Sequence, residues 1–279
     1  MNSEKLLELK KLAAEVRLGA VEAVYNGKSG HPGGALSAAD VITYLYFSEL
    51  NINPDDPKNP DRDRFILSKG HSCPALYTAM ALRGYFDISG IKSFRHLGAL
   101  MQGHPDMKTI PGIDMSAGSL GQGFSCACGM ALAGKINSKD YRTYVMIGDG
   151  ESQEGQIWEA TMFASHYKLD NLCLIIDNNG LQIDGRVEDV MNPMPYESKF
   201  EAFGWNVITI DGHDMTEIAS AFENARSTKG KPSVIIAKTV KGKGVSFMEN
   251  DAGWHGKAPN DAEYAQAVKE LTEYKNALN

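Results

Sequence analysis

The sequence predicts an α/β fold, a doubly wound and mainly parallel sheet with helices on both faces. Three observations lead there. Short apolar runs such as "YRTYVMI", "NLCLIID" and "PSVIIAKT" have strand length and β-branched composition. Segments with helical periodicity separate them, as the crossovers between parallel strands require. No internal repeat, low-complexity linker or domain break interrupts the 279 residues, so one α/β domain over 1–279 accounts for the chain.

Taken in order, Leu6, Leu9, Ala13, Val16 and Ala20 recur at helical spacing and predict an amphipathic helix over about 4–26. It breaks at "NGKSGHPGG", and a second helix is expected from near Ser37. "DRFILS" reads as a strand, "KGHSCP" as a loop and "ALYTAMALRG" as a helix. After the long loop "GHPDMKTIPGIDMSAGSLGQG" comes a small-residue helix, "FSCACGMALAGKI". "YRTYVMI", the helix "QIWEATMFASHYK" and "NLCLIID" form a strand–helix–strand unit. "WNVITID" and "PSVIIAKT" add two strands around the helix "DMTEIASAFENARS", with Asp214 as its N-cap. A charged helix over about 260–276 closes the chain.

Composition narrows the function classes. A net charge of −7 with no basic run argues against nucleic acid as a partner. No segment approaches the roughly 20 apolar residues that span a bilayer, and the N-terminus lacks the pattern of a signal peptide. Cys73, Cys126, Cys128 and Cys173 lie scattered in apolar surroundings, which fits a reducing cytoplasm. Cys126 and Cys128 invite a metal reading, but no second Cys/His pair has zinc spacing, so core packing is expected for them.

In a doubly wound sheet, ligands bind beyond the carboxyl ends of the strands. Two such ends stand out. "YVMIGDG" delivers Asp149 between Gly148 and Gly150; "LIIDNNGLQIDG" delivers Asp177, Asn178 and Asn179 one strand–helix unit later. A carboxylate, an amide oxygen and a backbone carbonyl make a hard-oxygen set suited to Mg2+ or Ca2+. The glycines would let backbone approach phosphate oxygens, and the following helix would aim its first N–H groups at them. Either loop alone is an ordinary N-cap or turn; together, 30 residues apart between Asp149 and Asn179, they point to a metal beside a diphosphate.

These residues resemble the thiamine diphosphate motif, GDG followed about 30 residues later by a terminal Asn. The surrounding segments resemble the N-terminal, diphosphate-binding part of transketolases. "SGHPGGALSAADVITYLYF", "RDRFILSKGHSCPALYTAMALRGY", "GHPDMKTIPGIDMSAGSLGQGFSCACGMALAGK" and "KTVKGKGVSFMENDAGWHGKAP" follow the family in the same order, over roughly 10–260. The resemblance implies Mg2+ (Ca2+ or Mn2+ substituting) on Asp149, the Asn179 side chain and the Leu181 carbonyl, with Gly150 on the diphosphate. Gly118 and Leu120 match residues beside the aminopyrimidine; Gln122 is a weaker match. Glu151 falls among the cofactor-side residues. So does Glu154, which with Glu159 also matches acidic residues at the subunit interface. His31, His71, His104 and His255 match histidines of the active-site channel that contact cofactor or substrate hydroxyls and assist proton transfers; His71 and His255 count on the cofactor side as well. Lys238 is a further candidate near the cofactor.

A full transketolase is more than twice this length, and its pyrimidine-binding and C-terminal domains have no counterpart here. The resemblance therefore implies one subunit of a split transketolase, completed by a separate partner in an α2β2 assembly. Its expected reaction moves a two-carbon ketol unit from a ketose phosphate to an aldose. The charged, helical close reads as a natural terminus rather than a cut. Two other readings stay open: the diphosphate-binding subunit of a 2-oxo acid dehydrogenase, and a non-catalytic scaffold. The Gly-His-Pro and "GSLGQG" loops point away from the first, and the four channel histidines from the second.

Overall fold

Parallel pairing organises the chain. The computed structural model describes residues 1–278, beginning with helix α1 (Ser3–Asn26), α2 (Pro32–Tyr44), strand β1 (Arg64–Leu67), α3 (Cys73–Arg83) and α4 (Gln122–Ile136). β2 (Thr143–Gly148), α5 (Gly155–His166) and β3 (Leu172–Asn178) follow, then a small hairpin of β4 (Leu181–Gln182) and β5 (Gly185–Arg186). The rest comprises α6 (Val187–Val190), α7 (Tyr196–Ala202), β6 (Asn206–Asp211), α8 (Met215–Ser227), β7 (Ser233–Lys238) and α9 (Asp261–Ala277). Five strands form one sheet in the order β1-β2-β3-β7-β6, every neighbouring pair parallel.

Both sheet faces are covered, which explains the uniformly apolar strands. In β3, Leu172, Leu174 and Ile176 pack with Phe124, Ile157 and Phe200 of α4, α5 and α7. The alternate residues Cys173 and Ile175 join Val16, Ile42, Leu76 and Phe222 of α1, α2, α3 and α8. Cys128 lies in the first of these cores and Cys73 and Cys173 in the second, while Cys126 is half-buried. Burial pushes the Cys73, Cys128 and Cys173 thiols up to about 12, the behaviour of packing residues. Among the described residues no helix is long and apolar enough to cross a membrane.

Asp214 caps its helix as expected, and a second cap appears at the start of α9. Asp214 accepts from the Thr216 and Glu217 amides at 2.7 and 3.0 Å, and Asn260 forms a reciprocal capping box with Glu263 at the start of α9. Three boundaries differ from expectation. α2 begins at Pro32, not near Ser37, because Pro at the first position is pre-set for a helix and the glycines behind it are packing residues. A Cβ on Gly33 would lie 2.9 Å from the Trp254 carbonyl oxygen, and one on Gly34 2.8 Å from Ser72 Oγ. A short 3-10 turn, Gly150–Gln153, intervenes before α5, so the helix start does not follow Asp149 directly. α7 hides in the polar "YESKFEA", whose Tyr196 and Phe200 are buried one helical turn apart.

Candidate active site at the carboxyl ends of the strands

β2 and β3 are neighbours, with Gly148 opposite Asp177, and β3 and β7 pair Asn178 with Lys238. Parallel register thus brings the loops after β1, β2, β3 and β7 to one edge. Asp177 ties them together. Its buried carboxylate accepts from Lys69 Nζ, from the hydroxyls of Ser37 (2.6 Å) and Thr239, and from Asn179 Nδ2 (3.2 Å). Burial alone would raise its pKa, but the adjacent Lys69 ammonium overrides this and holds the carboxyl below the usual range.

Asp149 is 1% exposed and has no cation beside it among the described residues. Asn178 Nδ2 (2.7 Å) and the Tyr196 hydroxyl (3.2 Å) donate to Oδ1, and the Gly180 amide (2.6 Å) donates to Oδ2. Burial lifts its pKa to about 6; the Asn178 bond opposes the lift and the Asp177 charge adds to it. An ionised carboxylate accepts about four hydrogen bonds, so three donors leave room for one more electrophilic partner. The neighbouring asparagines divide their roles. Asn178, not Asn179, meets Asp149, while Asn179 Oδ1 accepts from the Leu181 amide at 3.1 Å. Asp149, Asn179 and Leu181 therefore share one loop cluster, joined through Gly180.

Glu151 acts inside the protein. Its Oε1 accepts from Ser68 Oγ and the Gly121 amide (3.0 Å), its Oε2 from the Gly148 amide (3.1 Å), and it is 2% exposed. The carboxylate so fixes the 118–121 loop against the ends of β1 and β2. Gly118, in that loop at φ +156, stands beside His104, and Leu120 is half-buried. Gly150 opens the 3-10 turn, within which the Ser152 amide donates to the Asp149 carbonyl at 3.0 Å. Glu154 and Glu159 are exposed on α5 and its cap, and Gln122 bonds Gln156 at 2.8 Å.

Three of the four histidines form a compact cluster. Ring centroids are 5.1 Å apart for His31 and His71, 5.3 Å for His31 and His255, and 5.2 Å for His71 and His255. His104 stands apart at Gly118. Burial, aided by nearby cations, lowers all four; His31 falls to about 4 and His255 to about 3. All four rings are neutral near pH 7, each with a lone pair to accept and an N–H to give. His31 Nδ1 and Ser72 Oγ are buried with no hydrogen-bond partner among the described residues.

The sequence reading missed two lysines. Lys69, at the end of β1, is the Asp177 partner. Lys241 is 2% exposed and touches His255 Nδ1 at 3.0 Å, with no carboxylate in ion-pair range among the described residues. Burial and the Lys69 charge lower its pKa to about 8. Lys238, the candidate from sequence, ends β7 with its side chain exposed. Gly242 follows Lys241 at φ +79, where a Cβ would sit 2.2 Å from the Met248 carbonyl oxygen, so only glycine fits the turn beside the buried lysine.

A parallel sheet with buried, partly uncompensated cations and an acidic–amide cluster at its carboxyl edge defines an anionic-cofactor-binding α/β domain. The chain belongs to the transketolase family: the family's thiamine diphosphate binding domain matches residues 9–276. It is 46% identical over 270 residues to a 6-deoxy-6-sulfo-D-fructose transketolase subunit of Clostridium sp. (strain MSTE9), covering 96% of this chain and 98% of that one. It is 44% identical over 253 residues to an apulose-4-phosphate transketolase subunit of Phocaeicola vulgatus, covering 91% and 90%. The transketolase structure from Campylobacter jejuni superposes with a TM-score of 0.90 at 33% identity, covering all of this chain and 46% of that one. The chain thus matches transketolase subunits over nearly their full length and spans less than half of the longer transketolases.

Proposed function

We propose that this chain is the diphosphate-binding half of a thiamine diphosphate- and Mg2+-dependent transketolase site, working with a separate pyrimidine-binding subunit in the cytoplasm. The observation that carries the reading is Lys241, a buried ammonium without a carboxylate partner among the described residues, facing the loops of Asp149 and Asp177. A buried unpaired cation is costly unless an anion arrives. A diphosphate with its divalent metal supplies that anion and gives Asp149 the positive partner it lacks.

Asp149, the Asn179 side-chain oxygen and the Leu181 carbonyl are the metal donors, with Mg2+ or in its place Ca2+ or Mn2+. Gly150 and Lys241 meet the diphosphate, and Gly118 and Leu120 border the aminopyrimidine. When bound, thiamine diphosphate supplies the electron sink that lets a carbon–carbon bond beside a carbonyl break and re-form. His31, His71 and His255 hold donor and acceptor hydroxyls and pass protons between them, and His104 does so from the Gly118 side. The exposed Glu154 and Glu159 belong to the face that meets the partner subunit, in an α2β2 assembly.

The reaction is transfer of a two-carbon ketol unit from a ketose phosphate to an aldose. Incubating the chain and its candidate partner with thiamine diphosphate, Mg2+ and either a ketose phosphate plus an aldose or a 2-oxo acid separates the possibilities. Ketol transfer is expected with the first pair; decarboxylation of the 2-oxo acid alone would overturn the ketol-transfer reading in favour of 2-oxo acid chemistry.

A further inference from the structure

A second buried polar network runs behind the site and ends on the segment that carries Lys241. Its base is Arg17 of α1, whose Nη1 and Nη2 both bond the Asp40 carboxylate of α2; Arg17 is 4% and Asp40 6% exposed. Burial alone would raise the Asp40 pKa, but Arg17 and the His213 bond hold the carboxyl below its usual range, so it is ionised. An ionised carboxylate only accepts, and Asp40 Oδ2 lies 2.7 Å from His213 Nδ1, so Nδ1 carries a proton. On the far side of the ring, Nε2 lies 2.9 Å from the Val240 backbone nitrogen, whose N–H donates. Nε2 must therefore offer its lone pair. The Val240 amide donating to Nε2 and the Asp40 carboxylate beside Nδ1 together assign His213 the Nδ1–H tautomer, aimed between a carboxylate and one backbone amide.

That amide sits immediately before Lys241. Beyond it, the Gly242 amide donates to the Gly33 carbonyl at 3.0 Å, and Lys241 Nζ touches His255 at 3.0 Å. Other bonds flank it: the Thr239 amide donates to the Asn178 carbonyl and its hydroxyl to Asp177, and the Val240 and Lys241 carbonyls accept from the Lys243 (3.2 Å) and Asn250 (2.9 Å) amides, but His213 is the acceptor for the Val240 amide itself. We propose that His213, oriented by Asp40, is a positioning residue that fixes the Val240–Lys241 segment and thereby aims the Lys241 ammonium at the bound anion. Here a His–Asp pair serves as an acceptor for a main-chain amide, not as a base. The proposal rests on the anion-binding role given to Lys241 above.

Two variants separate the two ends of the ring. In His213→Gln the side-chain oxygen can reach the Nε2 position and still accept from Val240, while the Asp40 bond weakens. In His213→Asn the amide nitrogen keeps the Asp40 bond, but nothing reaches Val240. Amide hydrogen exchange on the full chain should show Val240 exchanging about tenfold faster in His213→Asn and near the wild-type rate in His213→Gln, one hydrogen bond being worth about that factor. Calorimetric titration with inorganic diphosphate and Mg2+ should follow the same order, about tenfold weaker for Asn and little changed for Gln. Thermal stability need not follow that order, because each variant keeps one bond. Unchanged Val240 exchange in His213→Asn, or equal effects of the two variants, would overturn the positioning role. If wild type binds no diphosphate, the anion-site reading fails while the exchange data still decide whether His213 fixes the segment.

Discussion

Replacing Asp177 by Ala should be among the most damaging single changes away from the metal donors. The carboxylate joins the end of β1 through Lys69, α2 through Ser37 and the loop after β7 through Thr239. Both Asp177 and Lys69 are essentially without solvent, so removal leaves an ammonium with only the Gly34 carbonyl (3.0 Å) for company. Breaking a buried pair from one side costs about 3–5 kcal/mol, a large share of the roughly 5–15 kcal/mol that holds a typical domain folded. Urea unfolding followed by circular dichroism would measure it, with Lys69→Met and the double variant completing a cycle. The two single costs should exceed the double by at least about 1.5 kcal/mol, since each single strands the other partner. A cost below about 1 kcal/mol for Asp177→Ala, or strictly additive singles, would show that the pair does not hold the strand ends together.

Other outcomes follow from the same geometry. Asp149→Ala should abolish Mg2+-dependent retention of thiamine diphosphate while the circular dichroism spectrum stays that of the wild type; unchanged retention would remove Asp149 from the metal set. Cys126→Ala should cost only packing, about 1 kcal/mol or less because the side chain is half-buried, and activity of the assembled enzyme should survive. His31 is depressed from its ordinary 6.5 to about 4, so between those values the unfolded chain binds a proton that the folded chain refuses. Its contribution is complete above pH 6.5 and shrinks as pH falls toward 4. His31→Gln should accordingly flatten the acid side of the stability profile relative to wild type, and an identical profile would place the ring in water.

Much of the fold was legible because the strands are buried on both faces and the helices carry their own start signals. The apolar runs around Val145, Leu174 and Ile235 admit little but a central parallel sheet, and Asp214 announces its helix by capping it. What escaped had no local signature. Gly33 and Gly34 read as a helix breaker, yet they are the residues small enough to lay the start of α2 against Trp254 and Ser72. Of the three lysines in "KTVKGKG", only the folded chain tells which one turns inward: Lys241 is buried, Lys243 half-buried and Lys238 exposed. Likewise, the carboxylate that neutralises Lys69 lies 108 residues away, and sequence spacing cannot show that. Asp149, Asn179 and the histidine loops were visible because their residue types are conspicuous at strand ends; the division of work between Asn178 and Asn179 required coordinates.

The most direct test of the central claim is a calorimetric titration of the chain with thiamine diphosphate and Mg2+, first by itself and then together with its candidate partner. Weak binding by itself, tight binding on mixing, and dependence of both on Mg2+ are the predicted results. Absence of binding in either state, with the chain folded and every plausible partner tried, would contradict a cofactor site here and leave a scaffold in its place.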